Sequence, residues 1–218
     1  IPQNENTPFR PRSPYAAAKV FAYNIVKVYR ESYNLFAVCG ILGNHESPRR
    51  GERFVTKKIT DWIGRYYNNK TQEPLKLGAL TSKRDWGYAF DYVQAMYLML
   101  QQSEPQDFVI GTGESHSVKE FVELAFKYAG ISIIWEGEGI NECGRNKNTN
   151  QLLVTIDPTL YRPSEVPILQ MDATKAKNLL GWKPNTSFEQ LVELMVTYDI
   201  EKYGGGHFNQ CSFHELNQ

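Results

Sequence analysis

Apolar residues recur at helical spacing from residue 15 to about residue 33, and this pattern predicts an amphipathic helix. Ser13 can cap that helix, and Pro14 fits its first position because no amide donor is needed there. Residues 35–42, with the sequence LFAVCGIL, form an unbroken apolar run that is typical of a strand covered on both faces. Such strands belong to parallel sheets flanked by helices, so this part of the chain indicates an α/β fold.

The rest of the chain alternates predicted helices with short predicted strands. Capping boxes that begin at Ser117 and Ser187 each predict the start of a helix. Helices are predicted at residues 52–67, 90–101 (buried), 117–129, 172–181 and 187 to about 204, strands at 75–77, 84–86, 108–110, 131–135 and 152–156, and a polar loop at 43–51. Only a few of these strands can join a parallel sheet, and a complete doubly wound domain needs more.

Composition excludes several classes of function. Hydrophobic residues make up 41% and charged residues 22% of the 218 residues, as in ordinary globular proteins. The 24 basic and 24 acidic residues cancel, so no overall field indicates nucleic acid or a membrane surface as a partner. The longest apolar runs are far too short to span a bilayer. The 3 cysteines lie far apart without metal or redox spacing, so we expect reduced thiols, no metal and a cytoplasmic location.

Tyr15 and Lys19 are the first candidate catalytic pair. On a helix, residues four apart lie on the same face, roughly 6 Å apart along the axis. A fixed ammonium group near a tyrosine favours the phenolate form, which can take a proton from a hydroxyl while hydride leaves the same carbon. The Tyr-x-x-x-Lys pattern also arises by chance on helix surfaces. Its position after Ser13-Pro14 and before an apolar strand favours the catalytic interpretation.

Longer motifs narrow the interpretation to one family. Residues 7–19 (TPFRPRSPYAAAK) and 44–51 (NHESPRRG) resemble the active-site segments of GDP-mannose 4,6-dehydratases, which are extended short-chain dehydrogenases/reductases. Residues 54–59 (FVTKKI), 83–87 (KRDWG), 161–166 (YRPSEV), 172–176 (DATKA) and 180–184 (LGWKP) follow at the family's spacing. The resemblance extends from Thr7 to about Tyr203. It implies the C-terminal part of a Rossmann-type doubly wound parallel sheet plus a smaller mixed α/β substrate-binding domain.

The resemblance implies a role for each matching residue. Tyr15 would be the general base and Lys19 its activator, and both would contact NADP together with His45 and Arg50. The GDP-mannose site would be lined by Asn44, Lys58, Arg84, Arg162 and Glu165. Arginine suits a diphosphate because its planar fork matches phosphate oxygens. Without the family context, the basic residues of 49–58 could form a solvated helix face, Arg84-Asp85 an ordinary surface pair, and Glu165 a surface carboxylate.

The resemblance also implies a division of the chain. Residues 1–50 would be the remaining segment of the NADP-binding domain, residues 51–205 mainly the GDP-sugar-binding domain with some chain returning to the first, and residues 206–218 a flexible tail. The family's glycine-rich dinucleotide fingerprint is not found, since the nearest candidate, Gly111-Thr112-Gly113, has His116 where the third glycine belongs. The family's catalytic Ser/Thr and Glu would lie before Ile1. The chain by itself is therefore expected to be inactive.

The resemblance implies conversion of GDP-mannose to GDP-4-keto-6-deoxy-mannose by internal hydride transfer through NADP, in a homodimer or homotetramer. Two other functions stay open at this point. One is a different sugar-nucleotide epimerase or dehydratase, which the loop at 44–51 argues against. The other is a non-catalytic fragment that binds the GDP-sugar or serves in assembly.

Overall fold

The first helix forms where the sequence predicts it, because both of its ends carry local signals. The computed structural model describes residues 1–161 and 166–205, and its first helix, α1, is Pro14–Tyr33. The side-chain oxygen of Ser13 accepts a hydrogen bond of 3.1 Å from the amide of Ala16, as an N-cap should. Asn34 ends the helix in the left-handed conformation, with φ of 50°.

Within residues 1–161 and 166–205, short strands and five further α-helices follow α1. The helices are α2 (Val55–Tyr67), α3 (Ala89–Leu100), α4 (Val118–Tyr128), α5 (Thr174–Leu180) and α6 (Phe188–Gly204). The strands are β1 (Gly40–Leu42), β2 (Asn44–Glu46), β3 (Leu75–Leu77), β4 (Lys83–Arg84), β5 (Trp86–Tyr88), β6 (Phe108–Ile110), β7 (His116–Ser117), β8 (Ile133–Glu136), β9 (Cys143–Asn146) and β10 (Leu152–Ile156).

Elements with complete local signals are confirmed. Both capping boxes are formed: the amide of Ser117 donates to Glu120 (2.9 Å) and the amide of Ser187 donates to the side chain of Gln190 (2.8 Å). Strands β3, β6 and β10 have the predicted bounds. Helix α5 ends at Gly181, whose φ of 65° suits glycine.

Other predicted elements are wrong in extent or kind. The strand predicted at 35–42 begins only at Gly40, and Leu35 and Phe36 are 48% and 45% exposed. The helix predicted as buried, α3, buries one face only, because Val93 and Tyr97 are 55% and 64% exposed. The predicted loop at 43–51 contains β2, and β9 lies between the strands predicted at 131–135 and 152–156. Both strands are too short to show a period of two. The proposed tail at 206–218 lies outside the described residues.

The described residues divide into two compact units. The first contains Ile1–Ser47, Gly78–Glu120 and the described residues of Pro158–Leu191. The second contains Pro48–Leu77, Phe121–Asp157 and the described residues of Val192–Gln218.

The described residues of the first unit contain three short two-stranded sheets and a core cluster. β1 pairs with β6 and β2 with β5, both in parallel, and β4 pairs with β7 in antiparallel fashion. The amide of Gly43 donates to the carbonyl of Ile110 (2.8 Å). The amide of Asn44 donates to the carbonyl of Asp85 (3.0 Å). The core cluster consists of buried side chains from α3, β6, α5 and the turn that follows, namely Tyr92, Ala95, Met99, Phe108, Ile110, Ala176, Leu180 and Trp182.

The second unit contains a four-stranded mixed sheet, and helix α2 contributes buried apolar side chains to this unit. The strand order is β3-β10-β9-β8, in which β3 and β10 are parallel and the other pairs antiparallel. Ile59 and Ile63 of α2 are fully buried, and the ring of Trp62 lies 5.6 Å from that of Phe126. None of the described helices is long and apolar enough to cross a membrane.

Candidate active site

The Tyr15–Lys19 pair lies in the first turns of α1, on one exposed face. Ser13 and Pro14 determine where the helix begins. Residues 15 and 19 are therefore both helical and lie on the same side of its axis. The ammonium nitrogen of Lys19 lies 5.5 Å from the centre of the Tyr15 ring. Tyr15 is 72% exposed. The predicted proximity is therefore confirmed, and the phenol is open to a ligand.

Asn44 and His45 lie on a strand, where the sequence predicts a loop. They pair with Trp86 and Gly87 across the β2–β5 ladder. The imidazole Nδ1 of His45 lies 3.0 Å from the carbonyl oxygen of Gly43. Because a carbonyl only accepts, Nδ1 carries the proton of this bond and Nε2 is the acceptor in the neutral ring. The fixed strand thus holds the His45 ring in one tautomer.

The ring of His45 also rests on a buried aromatic residue. Its centre lies 5.4 Å from that of Tyr92, which is fully buried. Gly87 permits this packing, because a Cβ at that position would lie 2.4 Å from Cε2 of Tyr92. A side chain at residue 87 would therefore displace Tyr92 and the His45 ring that it supports.

Arg84 connects its strand to the segment that carries two further predicted site residues. It pairs with His116 across β4 and β7. Its Nη1 donates to the carbonyls of Lys83 (2.8 Å) and Val166 (2.7 Å). Val166 directly follows Glu165 in the sequence, but Arg162 and Glu165 lie outside the described residues.

Asp85 is a structural residue of this site that sequence reasoning missed. Its carboxylate is fully buried, so the interpretation of Arg84-Asp85 as a surface pair is wrong for the aspartate. Oδ1 accepts hydrogen bonds from the amide and the hydroxyl of Thr112, both at 2.8 Å. Oδ2 accepts from the amides of Gly113 (3.0 Å) and Met171 (3.1 Å). This one carboxylate therefore holds two distant loops beside the strand that carries Arg84.

The other two predicted contacts, Arg50 and Lys58, belong to the second unit. The guanidinium carbon of Arg50 lies 3.6 Å from the centre of the Phe54 ring. Lys58 stands in the first turn of α2 and is partly buried. Burial lowers the pKa of its ammonium group, the nearby charge of Lys76 lowers it further, and Asp157 opposes the change. A partly desolvated ammonium group of this kind gains stability when an anion binds to it.

The basic stretch at 49–58 is not a uniform solvated face. Lys57 is 3% exposed, and its ammonium group forms an ion pair with the fully buried Asp199. The hydroxyl of Thr60 donates to the other oxygen of Asp199 at 2.7 Å. Lys57 is therefore a structural charge. Across residues 1–161 and 166–205, no group of three or more His, Cys, Asp or Glu side chains is placed to hold a metal ion.

Comparison with known proteins gives the same family as the motifs. The family model described as GDP-mannose 4,6 dehydratase matches residues 1–195. The human GDP-mannose 4,6 dehydratase is 58% identical over 201 residues, which cover 92% of this chain and 54% of the relative. The chain thus spans about half the length of the curated relatives it matches.

Solved structures with lower identity share the fold. RMD from Pseudomonas aeruginosa, complexed with NADPH, superposes with a TM-score of 0.76 at 18% identity, over 92% of this chain and 60% of that one. The dTDP-glucose 4,6-dehydratase of Bacillus anthracis, in complex with NAD, gives a TM-score of 0.73 at 20% identity, over 94% and 58% of the two chains. The Rossmann-type α/β fold expected from the sequence is therefore confirmed.

Proposed function

The chain belongs to the GDP-mannose 4,6-dehydratase family, and from this premise we propose that it is part of an enzyme that converts GDP-mannose to GDP-4-keto-6-deoxy-mannose and water. The observation that carries the proposal is the exposed Tyr15–Lys19 pair at the start of a capped helix. The net reaction is redox-neutral, because the oxidation of one sugar carbon in the first step is balanced by the reduction of another sugar carbon in the last step.

The residues of this chain have definite tasks in the proposed reaction. The phenolate of Tyr15 takes the proton from a sugar hydroxyl, and the ammonium group of Lys19 favours the phenolate over the phenol. A nicotinamide dinucleotide supplies the hydride acceptor and donor when bound. The residues fit such a group, since Tyr15 is 72% exposed and neither it nor Lys19 is hydrogen-bonded to another side chain of the described residues.

We propose NADP as the dinucleotide, with Tyr15, Lys19, His45 and Arg50 as its contacts. The NADPH complex of the structurally similar RMD supports this choice. The proposed contacts of the GDP-sugar are Asn44, Lys58, Arg84, Arg162 and Glu165, of which Lys58 and Arg84 supply positive charge for the diphosphate. Competition between NADP and NAD for the purified full-length protein tests the cofactor.

Assembly as a homodimer or homotetramer in the cytoplasm completes the proposal. Helix α1 exposes large apolar side chains, among them Phe21 at 67% and Val28 at 52%, which would be covered in an oligomer. Residues 1–50 would then belong to the cofactor domain and residues 51–205 mainly to the substrate domain. Light scattering of the full-length protein after size-exclusion chromatography tests the assembly.

The decisive experiment follows turnover of GDP-mannose by the full-length protein and by three variants. Tyr15→Phe and Lys19→Met should each lower kcat by about 10²–10⁴-fold, the usual contribution of a positioned acid or base. Tyr29→Phe, on the same helix and 50% exposed, is the matched control and should keep full activity. Full activity in Tyr15→Phe, or turnover of UDP-glucose in place of GDP-mannose, would contradict the proposal.

A further inference from the structure

Helix α1 is held to the rest of the first unit by polar contacts of Arg30. None of its side chains is buried. The guanidinium group of Arg30 forms an ion pair with Asp107, and its Nε donates to the carbonyl of Ala37 at 2.6 Å. The phenol of Tyr23, in the third turn of α1, interacts electrostatically with the same carboxylate. Two residues of the helix therefore meet at one carboxylate.

The same carboxylate is fixed to the strands. Asp107 directly precedes β6, and its Oδ1 accepts a hydrogen bond of 2.8 Å from the amide of Cys39, which directly precedes β1. The amide of Phe108 in turn donates to the carbonyl of Cys39 at 3.1 Å. The ammonium group of Lys175 donates to the main-chain carbonyl of Asp107 at 2.8 Å. Asp107 thus joins α1 to the β1–β6 pair at the edge where both strands begin.

The charges in this cluster support one another. Burial alone would raise the pKa of Asp107, but the interactions with Arg30, Cys39 and Tyr23 outweigh it and lower the pKa. Burial, followed by the interaction with this carboxylate, raises the pKa of Tyr23. At neutral pH the cluster therefore consists of an ionised carboxylate that accepts from the guanidinium group of Arg30 and the amide of Cys39, with the phenol of Tyr23 nearby.

Helical geometry relates this cluster to Tyr15 and Lys19. Tyr15, Lys19 and Tyr23 follow one another at intervals of four residues, and Arg30 is seven residues beyond Tyr23. At 3.6 residues per turn these four positions fall within a sector of about 80° around the helix axis. Fixing Arg30 at Asp107 therefore restrains both the rotation of α1 and the direction in which Tyr15 and Lys19 point.

We propose that Asp107 is a positioning residue for the Tyr15–Lys19 pair, which it orients by anchoring Arg30 of the same helix face to the strands. This inference rests on the proposed function, because it gives Asp107 an effect on catalysis without contact with the substrate. Its expected effect is on kcat, since a displacement of about 1 Å at the reacting groups can cost up to about 10²-fold in rate.

The test compares Asp107→Asn with Asp91→Asn in the full-length protein. Asp91 is a matched control because it is a buried carboxylate of the same unit, 2% exposed, that accepts the amides of Asn185 (3.1 Å) and Thr186 (3.0 Å). Asp107→Asn should lower kcat for GDP-mannose at least about 10-fold with KM changed less than about twofold. Asp91→Asn should lower stability but keep kcat. Arg30→Lys, which keeps the charge, should recover part of the kcat lost in Arg30→Gln.

Hydrogen exchange provides a readout that does not depend on catalysis. In Asp107→Asn, amides of α1 should exchange faster while those of α3 keep their rates; in Asp91→Asn, α1 should be unchanged. Unchanged exchange in α1, or an equal loss of kcat in both variants, would overturn the inference. If the unsubstituted protein did not convert GDP-mannose at all, the proposed function would fail, and the exchange data alone would decide whether Asp107 anchors α1.

Discussion

The amide of Met171 donates a hydrogen bond of 3.1 Å to the buried carboxylate of Asp85, a residue 86 positions earlier in the chain. The same carboxylate receives three more hydrogen bonds from Thr112 and Gly113. Without it the amides of Thr112, Gly113 and Met171 would lose this shared acceptor. Asp85 therefore determines the conformation of the loops beside Arg84.

Asp85→Asn should destabilise the protein by about 2–4 kcal/mol. The amide group of asparagine presents two donors where the structure needs an acceptor, so at least one buried donor loses its partner. Urea denaturation followed by circular dichroism measures the loss. Asp172→Asn is the control: its oxygen accepts one exposed hydrogen bond, from the amide of Thr174. A loss below about 1 kcal/mol in Asp85→Asn would contradict this role.

Asp107→Asn should show a stability defect that depends on pH. The interactions with Arg30, Cys39 and Tyr23 overcome burial and place the pKa of Asp107 below its ordinary value. Ionised Asp107 therefore stabilises the fold above a pH of about 4, and this contribution disappears as the pH falls through the lowered pKa. The difference between wild type and variant, about 1–3 kcal/mol near neutrality, should shrink below a pH of about 4. Glu104→Gln, at an exposed position, should show no such difference.

Lys57→Met should destabilise the protein by about 3–5 kcal/mol, because it leaves the carboxylate of Asp199 buried without its cation. Burial already raises the pKa of Asp199, against the opposing effects of Lys57 and Thr60. A raised pKa means that the folded protein is more stable when Asp199 is protonated. The loss of stability in Lys57→Met should therefore grow as the pH rises and shrink toward a pH of about 4. The double variant Lys57→Met/Asp199→Asn should be more stable at neutral pH than Lys57→Met alone. The opposite order would show that the pair is not coupled.

Tyr92→Phe should leave stability unchanged or raise it by up to about 1 kcal/mol. Within the described part of the chain, the buried hydroxyl of Tyr92 has no hydrogen-bond partner. Its burial therefore costs free energy that no hydrogen bond offsets, and its removal abolishes that cost. Burial, followed by the nearby carboxylates, raises the pKa of this phenol. Tyr203→Phe is the matched control and should lose about 1 kcal/mol, because its hydroxyl donates to Asp61 at 2.7 Å. Thermal melts of both variants make the comparison.

Lys58→Arg should change how GDP binding depends on pH in the full-length protein. Burial lowers the pKa of Lys58, so this ammonium group loses its charge at a lower pH than an ordinary lysine does. The affinity of the wild-type protein for GDP should fall over the same pH range. Arginine stays protonated, so the variant should keep its affinity across the same range. Calorimetric titration of GDP between about pH 7 and 10 measures this. Identical pH profiles for the two proteins would exclude Lys58 as a phosphate contact.

The sequence by itself determined the features whose causes lie within a few residues. Ser13 and Pro14 start α1 and thereby place Tyr15 beside Lys19, and the box at Ser117 starts α4. These signals are short-range hydrogen bonds and helical periodicity, so no distant residue can change them. The family motifs likewise identified the fold, because they are contiguous.

Tertiary structure alone decided which polar residues are buried and what they contact. The sequence does not distinguish Lys57 from the solvent-facing bases around it, since its partner Asp199 is 142 positions away. Asp85 and Asp107 look like surface carboxylates until loops and strands from distant parts of the chain bring donors to them. Likewise, Asn44–Glu46 becomes a strand only because Trp86–Tyr88 lies beside it. Pairing over such distances depends on the whole packed chain, and no local pattern encodes it.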